Sequence, residues 1–230
     1  MASRRRADSR FARDRELRRQ TSIGRRGRSL LMGMCFVLHS VSDQNIDRIL
    51  AHPPLIRRLV DRDVSATQDR IHRETAPGLF ARLFGRRRQD TADLVLGDGE
   101  GEVIDLDKSW DGLNFLLTAS DGGSDTSPLG FLGSGGTPAG DIEVGYCPAL
   151  LRRSGEVREI AAALARVDES TLRDHYDVET MLARDIYPTI WDDDPSEDGA
   201  LAYCLHHFAT LKSFAQRTAD QGLGFAHYIC

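Results

Sequence analysis

The chain has 230 residues, 40% of them hydrophobic and 28% charged, which excludes a largely disordered polymer and a membrane-embedded bundle and allows a substantial core without staples. Its net charge of −5 conceals two populations: residues 1–31 hold eleven arginines against Asp8, Asp14 and Glu16, a net +8, and residues 32–230 stand at −13. An acidic body disfavours nucleic acid as the partner, because phosphate binding needs clustered Lys and Arg, and suits solubility or a basic partner.

Residues 1–31 read as a basic leader. Arg25-Arg26 before the apolar Met32–Leu38 invites an export signal, but the run breaks at His39 and no small-x-small cleavage site follows. A segment so poor in apolar residues cannot offset the entropy of ordering it. The expectation is a disordered leader arising from a start assigned too far upstream, with the folded domain at 32–230.

In chain order, Cys35–Val41 is an apolar run expected to be a buried strand. Ser42 has the chemistry of an N-cap for a helix carrying Ile46, Ile49 and Leu50, which His52-Pro53-Pro54 ends. A second helix is expected from Leu55, with Ile56, Leu59 and Val60 on one face. Leu79, Phe80, Leu83 and Phe84 predict a short helix closed by Gly85. Residues 89–103 read as loop, with Gly97–Gly101 as a turn.

Asp107 is expected to cap a helix running through Trp110, Leu113 and Leu117. Loop follows to Gly140, with an apolar turn at Pro128–Leu132 and a glycine-rich stretch, Gly130 to Gly140, that lacks the ending of a phosphate loop and reads as a flexible loop, of which a lid is one version. Asp141–Cys147 alternates as a half-buried strand that Pro148 stops. Ser154 and Asp168 are expected to cap helices, and Val178–Ala183 is another. The longest helix is expected near Pro195 with Leu201, Cys204, Leu205, Phe208 and Leu211 as its stripe and Gly222 after its end; Leu223–Ile229 closes the chain as a strand. Strands separated by helices predict a single α/β domain with a mixed sheet covered by helices.

Cys35, Cys147, Cys204 and Cys230 form no C-x-x-C pair and read as buried free thiols, which implies a reducing compartment, the cytoplasm. No cofactor or metal motif emerges. His206 and His207 are adjacent and diverge on a helix, so they cannot chelate as an i, i+4 pair does.

Several blocks resemble a known family. Met32-Gly33-Met34, Gly78–Gly85, Asp105–Thr118, Gly145–Pro148, Val157–Leu164 and Asp185–Trp191 occur in the order found in the YfbM-like proteins, domain-of-unknown-function family 1877. The resemblance spans residues 32–230 and implies a layered α/β fold; it implies no activity. Two departures stand out, Asn114 where such proteins usually carry His and Cys147 where Gly is common.

The candidate site residues are Asp105, Asp107, Lys108, Trp110 and Asn114, where Trp110 and Asn114 share a helix face, together with Glu143, Tyr146, Tyr187 and Trp191. Against them stand ordinary roles in capping, solvation and packing. The sequence points to a non-catalytic bacterial binding or interaction protein. Its partner would be a protein or small ligand, with no nucleic acid or membrane, and an antidote that neutralises a basic effector is one version. A homo-oligomer exposing the long helix fits the same pattern. The alternative is a small hydrolase using Asp105, Asp107 or Glu143 as general acid or base.

Overall fold

The computed structural model describes residues 33–61, 94–119, 127–192 and 199–230, which belong to one compact unit, Gly33–Cys230. The leader, the helix expected at Leu79–Phe84 and the helix start expected near Pro195 lie outside the described residues.

The strands are β1 (Phe36–Val41), β2 (Val103–Asp105), β3 (Thr137–Glu143), β4 (Pro148–Arg152) and β5 (Gly224–Ile229), in the order β2-β1-β5-β4-β3. The helices are α1 (Asp43–Ala51), α2 (Trp110–Thr118), α3 (Ser154–Ala165), α4 (Glu169–His175), α5 (Val178–Ala183) and α6 (Ala200–Asp220), with a helical stretch at 56–61 and 3-10 turns at Pro53–Leu55, Asp107–Ser109 and Pro128–Leu132. Among the described residues, no helix is long and apolar enough to cross a membrane.

Every residue of β1 is buried because the strand lies between two partners and under helices on both faces. Phe36 and Leu38 join a core with Leu113, Leu116, Val157, Ile160, Leu211 and Phe225. Val37 and Val41 face the opposite core with Ile46, Ile49, Ile56 and Leu59. The period of two along β1 thus divides its side chains between two helix layers.

The α/β class, the helical cover, the long C-terminal helix and the closing strand are all present. The direction of the strands differs from the expected mixed sheet: all four pairings are antiparallel. The excursion from β4 to β5 contains four helices instead of one, so it does not form the single-helix crossover that makes neighbouring strands parallel.

Local chemistry corrects several boundaries. The strand expected at Asp141–Cys147 lies earlier, at Thr137–Glu143; residues 144–147 bend, and Pro148 begins β4 instead of stopping a strand. A strand's first residue is a position that tolerates proline. Val103, expected to end the loop 89–103, instead begins β2, which pairs with β1 through residues 37–39. The N-cap of α3 is Arg153, one residue before the expected Ser154; its N–H is accepted by Glu156 at 3.0 Å, and Ser154 instead donates from both backbone and hydroxyl to Asp43.

Asp107 is not the N-cap of α2 either. It sits at φ 46° at the head of a 3-10 turn, a left-handed conformation that Asp tolerates better than most residues, and Asp105 Oδ1 accepts its N–H at 2.6 Å. Of the four cysteines only Cys204 is buried; Cys35 and Cys147 are half-buried, and Cys230, beyond the last strand, is exposed.

The expected caps at Ser42 and Asp168 are formed: Ser42 Oγ accepts from Asn45 N at 3.2 Å, and Asp168 accepts from Thr171 N at 2.8 Å. Ser42→Ala removes the acceptor at the start of α1, so urea unfolding should show a loss of about 1 kcal/mol with an unchanged m-value.

Candidate functional site

Two groups of polar side chains stand out. The first surrounds Asp107. Its Oδ1 accepts from the Cys35 thiol at 3.3 Å and its Oδ2 from the Tyr203 hydroxyl at 2.9 Å, while Tyr203 itself accepts from Lys108 N at 2.9 Å. The His207 ring lies 4.8 Å from that of Tyr203 in an edge-on arrangement.

Burial alone would raise the Asp107 carboxyl, but hydrogen bonds from Tyr203 and Cys35 and the nearby Lys108 charge hold it below its ordinary value. Burial and donation to Asp107 push the Cys35 thiol up to about 11 and the Tyr203 phenol higher still. Thiol and phenol therefore stay protonated, and the carboxylate accepts from both. The cluster ties β1, the 3-10 turn and α6 together. Asp107→Ala leaves two donors without their acceptor and removes a side chain suited to the left-handed backbone; a loss of about 1 to 2 kcal/mol in chemical denaturation is expected.

The second group surrounds the side chain of Trp110. A cavity of about 190 Å³ is walled by Phe36, Trp110, Leu132, Leu150 and Ile229, with His227, Cys147, Gly133 and Ser134 completing it. The Phe36 ring lies 6.0 Å from Trp110 at 29° and 5.2 Å from His227 at 27°. The Trp110 and His227 rings thus each stand within about 30° of parallel to the Phe36 ring. An apolar enclosure with a few polar atoms is the usual make-up of a small-molecule site, although this one is smaller than the roughly 300 Å³ of a drug-sized pocket.

A neighbouring polar cavity of about 180 Å³ is lined by Arg152, Glu156, Glu159, Phe131 and Gly135 among others, and Ser134 lines both cavities. Arg152 is 7% exposed. It pairs with Glu156 at 3.3 Å and donates to the carbonyls of Phe131, at 3.2 Å, and Ser134.

In the β4–β5 ladder Leu150 faces His227 and Arg152 faces Phe225, so Arg152 and His227 project from the same face of adjacent strands, two residues out of step. Burial, with the Arg152 charge added, drives the His227 imidazole down to about 3. It is neutral at any ordinary pH.

Of the nearby side chains with buried polar atoms, Arg152 lines the polar cavity, His227 lines the aromatic one and Asn114 lines neither. Among the described residues, Asn114 Oδ1, Arg152 Nε and His227 Nε2 are buried without a hydrogen-bond partner, and each such atom costs about 1 to 3 kcal/mol if nothing satisfies it. All three side chains abut residues 133–136. A side-chain carbon built on Gly133 would meet the Asn114 amide at 2.8 Å, one on Gly135 the Arg152 guanidinium at 2.9 Å, and one on Gly136 would sit 3.4 Å from His227 Nε2. Gly135 and Gly136 have φ of 77° and 88°, where glycine carries no steric penalty.

The candidates from sequence divide among these places. Trp110 is a wall of the aromatic cavity and donates its indole N–H to Met34 O at 3.0 Å; Asn114 lies beside Gly133. Asp105, Asp107 and Lys108 belong to the tie around Asp107. Tyr187 accepts from Met34 N at 3.0 Å, and its ring lies 6.3 Å from that of Trp110. Trp191 is fully buried, donates to Ile186 O at 2.7 Å and packs on Gly112. Glu143 offers only its backbone carbonyl to Arg57, at 3.1 Å, and Tyr146 is 54% exposed. None of Asp105, Asp107, Glu143, Tyr146 and Tyr187 lines either cavity.

Sequence reasoning missed Arg152 and His227. The available signal was parity: His227 alternates with Phe225 and Ile229, and Arg152 with Leu150, on the core side of their strands.

A family described as a domain of unknown function (DUF1877) matches residues 32–228. The solved structure of YfbM from Escherichia coli, itself described as a protein of unknown function, is similar with a TM-score of 0.54 at 16% identity, covering 86% of this chain and 100% of that one. At that identity the likeness concerns the fold. No curated protein matches the chain.

Proposed function

Since the chain belongs to the DUF1877 family, whose description assigns no activity, we propose on the site alone that it is a non-catalytic domain that binds a compact ligand in the cavity between Phe36, Trp110 and His227. The carrying observation is a half-open aromatic cavity with a neutral His227 among its lining residues. Rigid aromatic walls supply contact area, and a few polar atoms fix orientation.

Binding is favoured over the hydrolytic alternative because the carboxylates proposed for acid and base work lie outside both cavities and both Asp107 oxygens are engaged. A general acid or base has to reach the reacting group.

Ligand-observed NMR with single-ring aromatic fragments tests this reading, with Cys147→Trp as a variant that fills the cavity from its lining. Saturable binding that weakens at least tenfold in the variant is expected. Equal binding to both proteins, or none to the natural one, would refute it.

A further inference from the structure

We propose that Cys35 and Cys230 form a reversible redox clasp, closing to a disulfide between β1 and β5 by exchange with a small aliphatic disulfide. The inference is independent of the aromatic cavity.

Backbone pairing brings together two thiols that are 195 positions apart in the chain. Cys35 N donates to Cys230 O at 2.8 Å and Cys230 N to Cys35 O at 2.9 Å, which continues the β1–β5 register by one pair beyond Phe36 and Ile229. A pair that exchanges both hydrogen bonds has its Cα atoms about 5.5 Å apart and its side chains on the same face of the sheet. That separation falls within the roughly 4.4 to 6.8 Å spanned by disulfides, so closure needs side-chain rotation and little movement of the backbone.

Access differs between the two thiols and sets the order of events. Cys230 is exposed, whereas Cys35 is half-buried and donates to Asp107 Oδ1 at 3.3 Å. The Cys230 thiolate attacks one sulfur of the reagent, the reagent's S–S bond breaks, and its first half leaves and takes up a proton. Cys35 then gives its proton to water and attacks the Cys230 sulfur of the mixed disulfide, expelling the second half as a thiol. Two protein thiols and one reagent disulfide thus become one protein disulfide and two reagent thiols, with two electrons passing to the reagent. Excess dithiol reverses these steps, and a bond at an exposed position is open to that attack.

Neighbouring charge selects the reagent. Burial raises both thiols, donation to Asp107 raises Cys35 further, and the Asp105 charge opposes either thiolate. Exchange is therefore slow at neutral pH, and an anionic reagent meets the same carboxylates. Lys108 beside Asp107 offsets only one of these two charges, so a cationic disulfide is favoured. Closure also takes from Asp107 the hydrogen that Cys35 donated and leaves it the Tyr203 hydroxyl. The start of β1 thereby exchanges a hydrogen bond to the 3-10 turn for a covalent bond to β5.

Incubation of the folded full chain with excess cystamine, followed by intact mass and non-reducing peptide mapping, tests the proposal. The natural protein should lose two hydrogens, about 2 Da, and yield a linked peptide joining Cys35 to Cys230, both reversed by dithiothreitol. Cys147→Ser should close equally well, and Cys35→Ser should stop at a cysteamine adduct on Cys230. If Cys35→Ser fails to fold, the linked peptide in the natural protein and in Cys147→Ser decides the matter. A lasting adduct on Cys230 of the natural protein, a link from Cys230 to Cys147 or to a second chain, or four unmodified cysteines would each overturn it.

Discussion

Lowering the pH from 7 to 5 should cost this domain about 2 kcal/mol of stability through His227 alone. The imidazole titrates near 3 in the folded protein against 6.5 for the free group, because burial in an aromatic setting disfavours the cation and Arg152 adds repulsion. The native state thus refuses a proton that the unfolded chain accepts. Stability from this residue is complete above about pH 6.5, falls as the pH drops below it, and levels off only near pH 3, with a total on the order of 3 to 5 kcal/mol. The engaged carboxylate of Asp107 is also held below its ordinary value, but its contribution is lost only as the pH passes below about 4. His207, half-buried and lowered by burial and by His206, adds in the same direction as His227. Urea midpoints at pH 7 and pH 5 should therefore differ clearly in the natural protein and much less in His227→Phe. An equal drop in both proteins would show that the acid sensitivity lies elsewhere.

Gly224→Ala should be among the most damaging single substitutions, with a loss above about 3 kcal/mol. A Cβ at this position would lie 2.2 Å from the backbone oxygen of Arg152 and 2.9 Å from Ile46 Cδ1. The first obstacle belongs to the neighbouring strand and cannot rotate away, so the β4–β5 ladder has to open where Arg152 pairs with Phe225. Gly222→Ala is the informative control. Its φ of 66° penalises a side chain, yet nothing lies within 4 Å of the added carbon, so about 1 to 2 kcal/mol is expected from backbone strain alone. Thermal unfolding of the two variants side by side separates collision from strain. Because the ladder also carries Arg152 and His227, Gly224→Ala should weaken ligand binding as well, and Gly222→Ala should not.

Local physics was legible along most of the chain. Ser42 and Asp168 cap helices because a short polar side chain reaches the orphan N–H groups of its own first turn. The stripe Cys204, Leu205, Phe208 and Leu211 is buried on α6 because its spacing puts those residues on one helix face. β1 and β5 announced themselves as short, largely apolar runs because both faces of the sheet are covered. These features depend on neighbours within one or two turns, which is the range a sequence encodes directly.

Where the signal was short or double-sided, the sequence misled. Val103–Asp105 is a three-residue strand, too brief to show a period. Pro148 looked like a stop and is a beginning, since its missing N–H matters only where a partner strand requires one. The Asp105–Asn114 segment looked like one site because its residues are adjacent in the chain. In the structure Trp110 lines the aromatic cavity, whereas Asp107 lines neither cavity and accepts from Cys35 and Tyr203.

By itself, the sequence determined an α/β domain, its long C-terminal helix and closing strand, and the helix caps at Ser42 and Asp168, because periodicity and capping act over a few residues. Only the tertiary structure decided that the sheet is antiparallel, that Arg152 and His227 share a buried face, and that four residues from Gly133 to Gly136 lie across three unmatched polar atoms. Those groups come from α2, β4 and β5, as many as 113 positions apart between Asn114 and His227. Their proximity is created by strand pairing and burial, which no local pattern records.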